Sequence, residues 1–295
     1  MPLHQSVLLN EVLEWLDPRP GSTVVDGTLG AAGHARAILE RLGAQGRLIG
    51  FDKDPVALEE AGKVLAGFGE NSMLIRDDFR NLAAQLRQRQ IHGVDGLLLD
   101  LGVSSMQLDH PGRGFSFQAE GPLDMRMDPT QSLTAREIIN TYPKNRLQEL
   151  LWNYGEERFA KRIADRIVDT RSKRRIETTT ELESIIYQAV PAFYRHGRIH
   201  PATRSFQALR IAVNDEVKAL QEFLDQAIAL LNSRGRVVVI SFHSLEDREV
   251  KTAFRQFSKE EKGRILTKKP VTASPREIDE NPRSRSAKLR AFEKF

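Results

Sequence analysis

The chain has 295 residues, with 44 lysines and arginines, 40 aspartates and glutamates, and no cysteine. This length is about twice that of a typical domain, so it predicts two domains or one domain with a large insertion. The lack of cysteine excludes disulfides, thiolate metal sites and thiolate nucleophiles. The formal net charge is only +4, but the basic residues are clustered. Such clustering is more informative about possible binding partners than the net charge is.

The N-terminal segment predicts an amphipathic helix. Apolar residues recur at Leu8, Val12 and Trp15 or Leu16. Glu11 and Glu14 lie between them, which does not fit a secretory signal peptide. No apolar run approaches the roughly 20 residues that a membrane span needs. We therefore expect no membrane partner.

Short apolar runs separated by helical patterns predict an α/β fold. A helical pattern follows each of the first three runs, and Asp54 before Pro55 gives one helix a favourable cap and first turn. This alternation predicts a parallel sheet covered by helices on both faces. The runs are residues 23–26, 47–52, 72–76 and 94–100.

The strand pattern stops near residue 105 and resumes only late in the chain. Between these points the sequence has turns and charged helical stretches but no convincing strand. The later pieces are a helix over about 203–232, a strand at 235–241, a loose segment over 268–286 and a last strand at 287–292. The interruption predicts a discontinuous sheet domain, residues 1–105 and 215–295, and an inserted all-helical domain, residues 106–214.

A glycine-rich turn follows the first predicted strand. Asp26 ends the strand, the turn has the pattern D-G-x-x-G-x-x-G-H, and Asp52 ends the second strand. The spacing differs from the dinucleotide pattern G-x-G-x-x-G. A carboxylate at Asp26 suits a ligand with positive charge, such as the ammonium of S-adenosylmethionine, better than a pyrophosphate. A dinucleotide enzyme and a tight turn that binds nothing are the alternatives.

Other polar and aromatic residues lie near predicted strand ends. Asp52 is placed to accept hydrogen bonds from ribose hydroxyls, and Phe79 could stack on adenine or belong to the core. His34 opens a helix and is interpreted as a contact of the cofactor loop rather than a base. His243 has polar neighbours at a strand tip, which favours a substrate or active-site role over simple packing or capping. The histidines are scattered, so no metal site is expected.

Basic residues crowd the predicted insertion. A charged helix is usually only a solvated face, and nearby acids partly neutralise this one. However, Phe193 and Tyr194 beside the basic residues would allow stacking on bases, which is typical of RNA binding. The predicted RNA contacts are Lys173, Arg174, Arg175, Arg198 and Arg204.

Several long motifs resemble one known family. The chain is similar, from residues 4–9 to residues 281–286, to the bacterial 16S ribosomal RNA cytosine-N4 methyltransferases. The resemblance covers nearly the whole chain in order. The motifs are D-L-G-V-S-S at 100–105, R-G-F-S-F at 113–117, G-P-L-D-M-R-M-D-P at 121–129, Y-G-E-E-R-F at 154–159, H-P-A-T-R-S-F-Q-A-L-R-I at 200–211 and S-F-H-S-L-E-D-R at 241–248.

The resemblance implies an activity, a cofactor and partners. It implies a Rossmann-like S-adenosylmethionine-dependent methyltransferase sheet with an inserted helical domain for substrate recognition. The expected reaction is methylation of the exocyclic N4 of a cytidine in the decoding region of 16S ribosomal RNA, in the cytoplasm, on the RNA or the 30S subunit. The family's cofactor residues correspond to Ala32, Gly33, His34, Asp52, Phe79, Asp100 and Gln107.

Asp100 is the expected catalytic acceptor. The lone pair of a cytosine N4 is delocalised into the ring, so attack on a methyl group requires acceptors for the amine hydrogens. Asp100 and backbone carbonyls near Gly102 are the candidates, although D-L-G-V-S-S departs from the D-P-P-Y signature of many amino-methyltransferases. A cofactor-binding ribosome-assembly factor without turnover is the alternative function, a dehydrogenase is disfavoured by the glycine spacing, and homodimerisation stays open.

Overall fold

The computed structural model describes residues 6–295. Helices and strands alternate over the first part of the chain, as the apolar runs predict. Within residues 6–295 no helix is both long and apolar enough to cross a bilayer. The first elements are α1 (Leu9–Leu16), β1 (Thr23–Asp26), α2 (Gly33–Leu42), β2 (Arg47–Asp52), α3 (Pro55–Leu65), β3 (Ser72–Arg76), α4 (Leu82–Gln88) and β4 (Val94–Asp100).

The chain divides into two compact units, and the segment that follows β4 forms one of them. This helical unit is Val103–Glu216, and the sheet unit combines the residues up to Gly102 with Val217–Phe295. The helical unit has a core of its own, in which Ile138, Ile163 and Ile186 are completely buried. Its helices are α5 (Ser105–Asp109), α6 (Ala135–Thr141), α7 (Lys144–Gly155), α8 (Ala160–Arg171), α9 (Thr179–Ala189), α10 (Ala192–Arg195) and α11 (Ala202–Asn214).

The remaining elements complete the sheet. They are α12 (Glu216–Leu230), β5 (Leu231–Ser241), α13 (Ser244–Lys259), β6 (Gly263–Ile265), α14 (Pro275–Glu280) and β7 (Lys288–Lys294). The strand order in the described residues is β3-β2-β1-β4-β5-β7-β6. Strands β1 to β5 are parallel, whereas β7 is antiparallel to both β5 and β6. This is the α/β sheet that the sequence predicts.

Side chains that alternate along the strands build two apolar layers, one on each face of the sheet. Leu97 and Leu99 of β4 pack in the layer that contains Phe223 of α12, whereas Leu98 packs in the layer that contains Ile38 of α2. All of them are buried. The near-continuous apolar run of β4 therefore follows from burial on both faces of a parallel sheet.

Two predictions about the second half of the chain were wrong in detail, and one strand was not predicted. The helix expected over 203–232 is two helices, α11 and α12, because Asp215 between them has a left-handed φ of 52°. The segment 268–286 is not uniformly loose, since it contains α14, which Ser274 caps, and a 3-10 turn at Pro282–Ser286. Strand β6, with 3 residues, was not predicted.

Candidate active site

Three acidic residues end three parallel strands. Asp26, Asp52 and Asp100 are the last residues of β1, β2 and β4. Strand β1 lies between β2 and β4, so the connection from β1 to β2 runs to one side of it, and the later connection from β3 to β4 crosses to its other side. In open α/β sheets the crevice outside the carboxyl ends of the strands at such a switch point is where ligands bind.

The turn after β1 is held tightly against these strand ends. Gly27 donates its N–H to the carbonyl of Leu98 at 2.9 Å, and a β-carbon at Gly27 would lie only 2.5 Å from Leu99 Cδ2. Gly30 has a positive φ of 52°, which glycine adopts without steric cost. These contacts explain why the turn needs glycine at both positions.

Ala32, Gly33 and His34 start helix α2. Ala32 is the N-cap and has a left-handed φ of 60° although it carries a β-carbon. A β-carbon at Gly33 would overlap Ser6 Oγ. This part of the turn is therefore tightly enclosed, and only the smallest side chains fit it.

Asp26 is a buried acid at the base of the turn. Its side chain accepts the N–H of Thr28 at 3.1 Å, and the residue is 1% exposed. Desolvation raises the pKa of Asp26 to about 7, and the charge of Asp52 adds to that rise. A nearby positive charge would reverse this effect and favour the ionised form.

Asp52 organises the turn and keeps acceptor capacity. One carboxylate oxygen accepts the N–H of Gly30 at 2.9 Å and the other accepts the N–H of Asp54 at 2.9 Å. Burial raises the pKa of Asp52 to about 6. Each carboxylate oxygen can accept a second hydrogen bond, so the geometry leaves room for the predicted contact with ribose hydroxyls.

Asp100 has an unsatisfied buried oxygen. Its backbone N–H donates to Thr28 Oγ1 at 2.6 Å, while its Oδ1 is buried without a hydrogen-bond partner. Desolvation, and next the charges of Asp26 and Glu246, raise its pKa well above the usual range. Buried acceptors in proteins are normally hydrogen-bonded. An amine or hydroxyl group of a ligand could donate to this oxygen.

His34 lies beside Asp100. Its Nε2 is 2.9 Å from the carbonyl of Val7, and because a carbonyl only accepts, Nε2 carries a proton. Its Nδ1 faces Asp100 Oδ2 at 3.6 Å. The carbonyl of Val7, next to α1, thus fixes the orientation of the ring. This contact suits a residue that shapes the site.

Phe79 and Gln107 have different surroundings. Phe79 starts a 3-10 turn after β3, is partly exposed and contacts Phe223 edge-to-face at 5.9 Å, so one ring serves the core and still reaches the surface. Gln107 belongs to the helical unit, where it is buried. Its Oε1 accepts the N–H of Ser104 at 3.1 Å, which completes the capping box of α5. Their contacts with a cofactor stay predictions.

His243 is the N-cap of helix α13. Its Nδ1 accepts the N–H of Glu246 at 3.4 Å, and its Nε2 lies 3.1 Å from Glu246 Oε1. Asp247, four residues after His243, pairs with Arg290 at 2.6 Å. The Nε2 of His243 is nevertheless buried without a hydrogen-bond partner in the described part of the chain, so the cap leaves one ring nitrogen unsatisfied, and a direct catalytic role for His243 stays a prediction.

The sequence reasoning missed Thr28 and Glu246. Thr28 fixes the backbone of Asp100, as described above. Glu246 is 3% exposed and accepts the N–H of Phe242 at 2.8 Å, and its charge contributes to the raised pKa of Asp100. The spacing H-x-x-E at 243–246 is a variant of the capping-box pattern and could have revealed Glu246, whereas no local pattern could have paired Thr28 with Asp100.

The predicted RNA contacts lie in the helical unit. Lys173, Arg174 and Arg175 follow α8 and are exposed. Arg174 pairs with Glu181, and Arg175 lies 3.4 Å from Glu177. Arg204 donates to the carbonyl of Glu156 at 2.9 Å, and Arg198 is exposed. RNA phosphates would have to compete with acids for Arg174 and Arg175.

The sheet and the site define a class of protein. The glycine turn, the acids ending β1, β2 and β4, and the reversed last strand make this a Rossmann-like, S-adenosylmethionine-dependent methyltransferase. The residues present fit that cofactor, because Asp26 and Asp52 suit its ammonium and hydroxyl groups and Asp100 Oδ1 lacks a partner.

Comparison with known proteins gives the family. Residues 1–295 match the MraW methylase family, and the chain belongs to it. It is 51% identical to ribosomal RNA small subunit methyltransferase H of Geobacter sulfurreducens over 99% of both chains. It is 48% identical to the protein of that name from Heliobacterium mobile, again over 99% of both. A solved rRNA methylase from Streptococcus thermophilus has 13% identity and a TM-score of 0.44, over 97% of this chain and 93% of that one.

Proposed function

We propose that this protein transfers a methyl group from S-adenosylmethionine to the exocyclic N4 of a cytidine in the decoding region of 16S ribosomal RNA. Full-length similarity to small subunit rRNA methyltransferases supports the substrate class. The observation that carries the proposal is the buried, unpartnered Oδ1 of Asp100 at the tip of β4. We place the reaction in the cytoplasm, where small ribosomal subunits assemble.

Asp100 accepts the hydrogens of the amine. When bound, the cofactor supplies an electrophilic sulfonium methyl group. An N4 amine that donates to Asp100 Oδ1 has its hydrogens held on one side, which favours a pyramidal nitrogen with an available lone pair. Because the pKa of Asp100 is raised, its carboxylate is also a better base than an exposed aspartate and can take the proton that leaves N4.

The surrounding residues would bind the cofactor and position the acidic side chains. Asp26, Asp52 and Phe79 would hold the cofactor, and the enclosed turn at Ala32 and Gly33 would exclude water from it. Thr28 fixes Asp100 through the hydrogen bond to its backbone N–H. We propose that His243 contributes by capping α13 and holding Glu246 in place.

We propose that the helical unit recognises the RNA. Its cations, among them the exposed Lys173 and Arg198 and the half-buried Arg204, would contact phosphates, which favour lysine and arginine without regard to sequence. The substrate is then 16S RNA or the 30S subunit that contains it.

The test compares Asp100→Asn with Asp95→Asn in single-turnover methylation of 30S subunits that lack the modification, at saturating cofactor. Loss of a preorganised electrostatic group typically costs about 10²- to 10³-fold in rate, and we expect a loss of that order for Asp100→Asn. Asp95 is in the same strand but accepts the N–H of Thr23 at 2.8 Å, so its variant should react at nearly the wild-type rate. Equal rates for Asp100→Asn and wild type would remove Asp100 from the chemistry.

Mass mapping of the methylated RNA tests the position and the atom. Wild-type protein should add one methyl group to a cytidine N4 in the decoding region. Binding to 30S subunits with no methyl incorporation by wild-type protein would instead support an assembly factor without turnover.

A further inference from the structure

An aromatic cluster lies on the surface of the helical unit. Phe193 of α10 is 67% exposed. Its ring lies 6.1 Å from that of Phe159, and the Phe159 ring lies 4.9 Å from that of Tyr194. Both contacts are edge-to-face, so the three rings support each other while Phe193 remains open to solvent.

Arg158 lies over all three rings. Its guanidinium carbon is 5.1 Å from the centre of Phe159, 5.5 Å from that of Phe193 and 4.8 Å from that of Tyr194. These distances are within the range of cation–π attraction. Arg158 is itself exposed, so a positive charge and an aromatic face are presented side by side.

A buried carboxylate anchors the cluster from inside. Tyr194 donates its hydroxyl to Glu157 Oε2 at 2.8 Å, and the other oxygen of Glu157 accepts the N–H of Phe159 at 2.8 Å. Glu157 is completely buried. Burial, and next the bond to Glu157, raise the pKa of Tyr194 to about 12, so its hydroxyl stays a donor. We call the three rings together with Arg158 the aromatic platform. Its side chains are held in place without a ligand.

Several arginines lie on or beside these rings. Arg204 acts on Tyr194 electrostatically, and Arg195 lies 5.0 Å from the ring of Tyr187 next to the same short helix. Glu156 is the exposed acid nearby, and Arg204 binds its carbonyl. An exposed ring within cationic surroundings is the combination that binds unpaired nucleotides, because bases stack on rings and phosphates attract arginine.

We propose that Phe193 and Arg158 form a stacking site for one unpaired base of the RNA substrate. The proposal rests on the proposed function for the identity of that RNA. The exposed face of Phe193 receives the base, and Arg158 contacts the adjoining phosphate or the edge of the base. Tyr194 and Glu157 are positioning residues that hold the two in place.

The experiment uses the full chain with 30S subunits that lack the modification, and compares Phe193→Ala, Phe193→Trp and Phe295→Ala. Base stacking on an aromatic ring corresponds to about 5- to 150-fold in affinity. We expect Phe193→Ala to weaken 30S binding roughly tenfold and to raise KM more than it lowers kcat. Phe193→Trp should restore binding. Phe295 is 64% exposed in the sheet unit, and its variant should bind as wild type does.

A salt titration separates stacking from charge. Stacking releases no counterions, so Phe193→Ala should leave the dependence of affinity on salt unchanged, whereas Arg158→Gln should flatten it. Unchanged 30S affinity and KM in Phe193→Ala would overturn the stacking site. So would a change of oligomeric state in Phe193→Ala with unchanged KM, since the patch would then be an interface between copies. Failure of wild-type protein to methylate 30S subunits would contradict the proposed function instead.

Discussion

At the scale of single residues, the site concentrates carboxylates whose ionised forms are disfavoured by burial in the fold. Asp26, Asp52 and Asp100 all have raised pKa values because burial removes water from their carboxylates. Groups whose pKa is raised by folding make the native state less stable when they ionise. A cationic ligand would offset that cost, which is a physical reason to find such acids in a binding site.

Asp26→Asn should therefore stabilise the protein at neutral pH. The pKa of Asp26 is about 7 in the folded chain, against an ordinary aspartate value of 3.8. Between these values the native state binds more protons than the unfolded state, so the free energy of unfolding falls as pH rises from about 4 to about 7. The variant should lose this dependence. The difference in free energy of unfolding between variant and wild type should therefore be about 2–4 kcal/mol more favourable to the variant at pH 8 than at pH 4.

Chemical denaturation of both proteins at several pH values measures that difference. Asparagine can still accept the N–H of Thr28, so the turn should persist. The same variant should bind S-adenosylmethionine more weakly, because it lacks the charge that attracts a cation. A pH dependence of stability identical in both proteins would show that Asp26 ionises normally.

Asp52→Asn should weaken S-adenosylmethionine binding by about 1.5–3 kcal/mol, the value of charge-assisted hydrogen bonds. Since the pKa of Asp52 is about 6, wild-type affinity should also fall as pH drops through that value, and the variant should lack this fall. Calorimetry at pH 7.5 and 5.5 provides both measurements. Asp54→Asn is the control for affinity at pH 7.5, because Asp54 caps α3 and asparagine caps equally well. The charge of Asp54 raises the pKa of Asp52, so this variant should shift the fall in affinity to lower pH rather than abolish it.

At the scale of secondary structure elements, His243 at the start of α13 has two interpretations, a structural one as a helix cap and a catalytic one. His243 accepts the N–H of Glu246 and begins the helix. Asparagine is a good N-cap, whereas alanine is not, and loss of a cap typically costs about 1 kcal/mol. We expect His243→Asn to unfold at nearly the wild-type temperature and His243→Ala to be destabilised.

Single-turnover rates of these two variants separate the interpretations. If His243 only caps the helix, the methyl-transfer rate of His243→Asn should stay within about tenfold of wild type and far above the rate of Asp100→Asn. If His243→Asn is as slow as Asp100→Asn while its fold is intact, His243 takes part in the chemistry directly.

The elements themselves show what the sequence could predict. Strands β1 to β4 were predicted at their observed bounds because parallel strands buried on both faces are continuous apolar runs. The break at Asp215 could not be predicted, since aspartate lacks the signal that glycine would give for a left-handed residue. Strand β6 is too short to show a pattern, and it forms because β7 offers a free edge.

The site was predicted to a similar extent. The acids at strand ends could be placed because each ends an apolar run, and parallel strands bring their carboxyl ends to one edge. The surroundings of each acid could not be placed, because they depend on long-range contacts such as that between Thr28 and Asp100. The role of His243 was the least predictable, because capping by histidine is rare in the sequence patterns that mark helix starts.

At the scale of the whole molecule, the chain separates two tasks. The sheet unit contains Asp26, Asp52 and Asp100, which we assign to cofactor and chemistry. The helical unit, Val103–Glu216, contains the exposed cations and the aromatic platform around Phe193. Changes in the sheet unit should therefore affect cofactor affinity, and changes at the cations or aromatic rings of the helical unit should affect RNA affinity. The predicted cofactor contact of Gln107 is the exception, because Gln107 belongs to the helical unit.

The basic segment after α8 tests this separation. If Lys173, Arg174 and Arg175 contact phosphates, replacing all three with alanine should flatten the dependence of 30S affinity on salt by about 0.7 log units per lost single-strand contact. Arg174 and Arg175 already pair with Glu181 and Glu177, so RNA must displace these acids, and we expect the change in slope to be smaller than three full contacts. Affinity for S-adenosylmethionine should be unchanged.

A matched variant gives the experiment its control. Arg36 and Lys63 are exposed cations in ion pairs on α2 and α3 of the sheet unit, so Arg36→Ala with Lys63→Ala removes paired charge of the same kind from elsewhere. This variant should keep the wild-type salt slope. Equal slopes for the triple variant, the control and wild type would mean that the segment is only a solvated face, and the phosphate contacts would then have to come from other cations, first among them Arg198 and Arg204.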